Sequence, residues 1–112
     1  MSLLAFALAA NLALKPAPDA TEQDLRCVAA LALIIGSQGD KADPGLTAGL
    51  LYFVGRLDAR APALDLEAGL RRLLGAADAG EQLKPDMTRC GAILTERGTV
   101  LQTIGSSLQG KK

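Results

Sequence analysis

The chain contains no histidine and no tryptophan. Without histidine it lacks the one side chain that titrates near neutrality unperturbed, and with it the commonest metal ligand. An ordinary zinc site and a histidine-based catalytic system are therefore excluded. Charge of either sign is not in surplus: Lys plus Arg and Asp plus Glu each number 12, and the formal net charge is zero. A protein without a basic excess has nothing to release counterions from a phosphate backbone, so nucleic acid is not an expected partner. Aromatics are confined to Phe6, Tyr52 and Phe53. Val and Ile together supply only 7 residues, which leaves little material for strands. The longest apolar run, Leu3 to Leu14 broken by Asn11, is too short for a bilayer, which needs about 20 residues. No stable membrane span is expected.

What the chain does have is helix-forming material. Leu and Ala supply 41 of its 112 residues. The length fits a single domain. The pattern predicts an all-α, small four-helix bundle-like domain over residues 21–108, with a disordered tail at 109–112. Thr21 and Asp24 mark the start of a first helix over Glu22 to Ile35, ended by Gly36. Cys27 to Ile35 contains no polar residue, so this helix should be central. Asp43-Pro44 opens the second, whose stripe is Leu46, Leu50, Phe53 and Leu57; Ala61-Pro62 closes it. Asp65 caps a short third helix with Leu66, Leu70, Leu73 and Leu74 inward, and with Glu67 and Arg71 paired outside. Gly75 to Gly80 reads as a loop. The last helix runs from near Pro85 to Leu108. Its stripe of Met87, Cys90, Leu94, Leu101, Ile104 and Leu108 is interrupted by Arg97.

Residues 1–20 read as a signal peptide and linker. The apolar run has the length of a signal-peptide core, and Lys15-Pro16-Ala17-Pro18 resembles a linker, although no basic residue precedes the run. Cys27 and Cys90 are 63 positions apart, which excludes a Cys-x-x-Cys motif. In a small exported domain such a pair is expected to form one structural disulfide. The helices bearing the two cysteines should then run roughly parallel. The alternative is a cytoplasmic protein with free thiols and an uncleaved first helix.

Two further constellations bear on function. Gly91, Gly98 and Gly105 recur every seven residues on one face of the last helix. Internal helix packing is the first expectation for them, and close approach of a partner helix or ligand is the second. Gly45 and Gly49 repeat the theme on the second helix. Tyr52, Arg56 and Arg60 share a face of that helix. They could bind a carboxylate or phosphate, or pair with Asp58, Asp65 or Glu67, or simply face water. No phosphate-binding loop, nucleophile elbow or dinucleotide fingerprint is present. No catalytic, cofactor or metal residue is assigned.

Three stretches carry a resemblance: Leu25-Arg26-Cys27; Tyr52-Phe53-Val54-Gly55-Arg56-Leu57 with Arg60 and Pro62; and Arg89-Cys90-Gly91 with Leu94, Arg97 and Gly105. Over roughly residues 25–108 the chain resembles a group of small exported alphaproteobacterial proteins of uncharacterised role. That resemblance implies a signal peptide and assigns no activity. In size, helicity and one long-range disulfide the chain is also similar to small periplasmic acid-stress chaperones, a similarity of architecture alone. The expected function is a non-enzymatic, periplasmic or secreted binding or protein-interaction module with a stress or chaperone role. Its partner is a protein or small ligand, and a homodimer is one candidate assembly.

Overall fold

A computed structural model describes residues 19–110. They form an all-helical domain: α1 (Ala20–Gln38), a 3-10 turn (Gly39–Lys41), α2 (Pro44–Arg60), α3 (Leu66–Leu74), the one-turn α4 (Ala79–Gln82) and α5 (Lys84–Gln109). The four longer helices are those the periodicity predicts, and α4 is an addition that begins at the end of the expected Gly75–Gly80 loop and runs beyond it. The signal-peptide segment lies outside the described residues, as do Lys111 and Lys112. The rest of the expected tail is ordered to the extent that α5 continues to Gln109.

Local chemistry sets the boundaries. Asp19, not Thr21, caps α1: its carboxylate accepts from the Thr21 backbone N–H at 3.2 Å. Gly36 does not stop this helix. The stop is Gly39, whose φ of 57° is the left-handed conformation that glycine tolerates. Asp43 caps α2 through the Gly45 N–H, and Asp65 caps α3 through the Ala68 N–H.

Helix α1 is the core element. Cys27, Val28, Ala29, Ala30 and Leu31 are consecutive and all buried, so the helix is covered on most sides. Phe53 and Leu57 of α2, Leu73 of α3, Leu83 and Cys90 complete the core. Small residues let the helices approach. A Cβ on Gly69 would lie 2.7 Å from Leu25 Cδ2, and one on Gly49 would lie 2.5 Å from Leu94 Cδ1. These contacts draw α3 onto α1 and α5 onto α2. Leu73 alone of its stripe is buried. Leu66, Leu70 and Leu74 are half-buried and pack against the edge of the core, in keeping with the inward stripe, and they also line an open hollow of about 420 Å³ with Glu67 and Arg71.

Cys27 and Cys90 form a disulfide, with Cα atoms 5.6 Å apart. Further contacts surround this link. Arg89 bonds the Gln23 carbonyl, while Arg26 bonds Asp86 and the Gln82 carbonyl. One covalent link fixes a point of contact between two helices, and it leaves their direction to the surrounding side chains.

Candidate functional site

Two buried aspartates organise the polar side of the domain. Asp24, in the first turns of α1, is 2% exposed. The last two turns of α2 run past it and bring Arg56 and Arg60 to one carboxylate oxygen. Arg56 Nε donates to Oδ2 at 3.2 Å, and Arg60 Nη1 donates to the same atom. The Arg56 guanidinium also lies over the Tyr52 and Phe53 rings, 5.7 Å from each centroid. Those rings meet edge-to-face at 5.2 Å. The expected Tyr52, Arg56 and Arg60 face therefore exists, and its arginines are paired. Their partner is Asp24, not Asp58, Asp65 or Glu67.

The second cluster repeats the pattern across the disulfide. Arg26 Nε donates to Asp86 Oδ2 at 2.9 Å, and Arg89 Nη2 donates to Oδ1 at 2.9 Å. Each arginine also donates to a backbone carbonyl on the facing element. Burial raises the Asp86 pKa, but the two guanidinium hydrogen bonds outweigh it and hold the carboxyl below its ordinary range. Each buried carboxylate is thus shared by two arginines. The clusters act as polar staples, Asp24 between α1 and α2 and Asp86 between α1 and α5.

Arg97, which interrupts the apolar stripe of α5, sits beside Tyr52. Its guanidinium lowers the phenol pKa against the opposing effect of burial, and Arg56 adds to the lowering. Among the described residues no group of three or more His, Cys, Asp or Glu is placed to hold a metal ion. No described helix is long and apolar enough to cross a membrane.

The second half of α5 differs from the body. Met87, Cys90 and Leu94 pack against the core. From Thr95 to Gly110 every residue is exposed. Leu101, Ile104 and Leu108 are 65%, 51% and 63% exposed, and Val100 borders them at 40%. A Cβ on Gly91, Gly98 or Gly105 would meet nothing within 4 Å among the described residues. The expectation of internal packing for these glycines thus finds no described neighbour. Each mid-helix glycine costs about 1 kcal/mol relative to alanine, here with no described intrachain contact in return. The glycines and the Tyr52 face are not brought together; Arg97 and Leu94 are what α5 presents to α2.

Sequence reasoning missed Asp24 and Asp86 as organising groups. A signal was present, because each cysteine is preceded by an arginine, Arg26 and Arg89, and each of these arginines reaches Asp86. Compared with protein-family models, curated proteins and solved structures, the chain shows no match.

Proposed function

We propose that the protein is a non-enzymatic helical interaction module whose working surface is the projecting half of α5. The observation that carries this reading is the row Leu101, Ile104 and Leu108, each more than half exposed on one helical face. These residues recur at the i, i+3, i+7 spacing by which an amphipathic helix engages another polypeptide. Large apolar side chains left in water in a row mark a contact surface more than a fold requirement. The body behaves as a mount: the disulfide and the Asp86 cluster tie the root of α5 to α1. A buried Cys27–Cys90 bond suits an oxidising compartment, which supports a periplasmic or secreted location. A chaperone-like role fits the same surface.

The experiment is site-specific photo-crosslinking in the producing cell. A photo-reactive residue at Ile104 is expected to give a discrete polypeptide adduct. The same residue at Ser106, on the opposite side of α5, is expected to give none. Equal yields from the two positions, or no adduct from either, defeat the reading.

A further inference from the structure

We infer that the partner of the α5 arm is a second copy of the chain, paired antiparallel about a two-fold axis between Gln102 and Thr103. This rests on the reading of the arm as a contact surface and names its occupant. Helix α5 carries a seven-residue register. Leu94, Leu101 and Leu108 share one position, Arg97 and Ile104 the position three later, and Gly91, Gly98 and Gly105 the position four later. An antiparallel copy brings Leu101 against the partner's Ile104, and Ile104 against the partner's Leu101. The flanking glycines then line the same side of the seam, Gly98 about two residues, roughly 3 Å, out of level with the partner's Gly105. Two helix backbones can approach closely only where neither carries a Cβ, and these glycines have open space where a Cβ would stand.

Charge selects the direction. A parallel pair would stack Arg97 on the partner's Arg97 within the seam, a like-charge contact. The antiparallel pair separates the two arginines. It carries each towards the far end of the partner's helix, where unpaired carbonyls favour a cation. The arm's four apolar side chains leave roughly 400 Å² of apolar surface open, within the range of functional patches. Two such arms bury about 1,000 Å² in all, the low end for a specific interface. The assembly is accordingly a reversible dimer with a dissociation constant in the micromolar range, about 1–100 μM.

Two-fold symmetry sharpens the test, because every substitution enters the interface twice. Sedimentation equilibrium of the oxidised full chain, across concentrations bracketing that range, is expected to show monomer and dimer only. Leu101→Ala should weaken the dimer about 50-fold. Gly98→Ala and Gly105→Ala should each raise helicity yet weaken association about tenfold, opposite signs that intrachain packing would not produce. Mixing G98C with G105C should form an intermolecular disulfide faster than either variant alone. A chain that stays monomeric throughout overturns the proposal. So do alanine variants that associate more tightly, and G98C homodimers that form as fast as the mixed species. If the chain is monomeric and Ile104 crosslinks to its own residues 3–14 or to another protein, the second copy is wrong. In the last case the contact surface stands; with no adduct from Ile104, both fail.

Discussion

Breaking the Cys27–Cys90 bond is expected to remove a large part of the domain's stability, and the size can be worked from the loop it closes. The cysteines are 63 positions apart. In the chain-entropy model a loop of that length restricts the unfolded ensemble by about 4 kcal/mol at 25 °C. Domains of this size have total stabilities of about 5–15 kcal/mol. With an unfolding entropy of about 2 cal/mol/K per residue, the loss corresponds to a fall in Tm of roughly 20 °C. The location of the bond adds to its effect. Apart from it, α5 is held to α1 by the Asp86 cluster and by the few apolar side chains of its first half. The reduced protein should therefore loosen at α5 first and be cleaved by trypsin after Arg89 or Arg97 before α1 and α2 are cut. Urea unfolding of the oxidised protein, the reduced protein and the C27A/C90A variant measures the difference. A loss below about 1 kcal/mol would refute the reasoning, because the entropy of a loop this long could not then be what the bond supplies.

Three further outcomes follow from the polar clusters. Asp24→Ala strands Arg56 and Arg60 and should cost about 2–3 kcal/mol in chemical denaturation, the low end for a buried partner because both arginines keep some contact with water. Arg60→Ala alone should cost less, since Arg56 still neutralises the carboxylate. Asp86 has a folded pKa below its unfolded value of 3.8, so its contribution is complete above that value and is lost as pH falls through the folded one. Stability should decline below about pH 4, and Asp86→Asn should flatten that acid limb while lowering stability at neutral pH. Tyr52 is the only tyrosine, so phenolate absorbance reports it alone. The titration midpoint should lie below 10.0, and Arg97→Ala should move it upward; an unmoved midpoint would separate Arg97 from the phenol.

What the sequence made legible was local. Caps at Asp43 and Asp65, the Pro44 start and the apolar stripes depend on neighbours within a turn or two, and the structure follows them. Gly36 misled because a glycine stops a helix only where a left-handed φ is needed, and Gly39 is the one that adopts it. The disulfide was legible from parity and spacing, but the polar contacts that surround it were not. Arg26 and Arg89 reach across to Asp86 and Gln23, contacts more than fifty residues apart in sequence. The same limit explains the arginine face. Tyr52, Arg56 and Arg60 could be grouped by periodicity, whereas Asp24 lies on another helix, and its burial depends on how α2 crosses α1. The α5 stripe is the hardest case, because a seven-residue repeat is the same signal whether the apolar face meets its own core or another chain. Met87, Cys90 and Leu94 take the first course, whereas Leu101, Ile104 and Leu108 stand exposed beyond the core. The residue that divides them is Arg97. It cannot be buried in the seam without a partner, so it turns to Tyr52 at the edge of the body, and beyond it the helix has left the core.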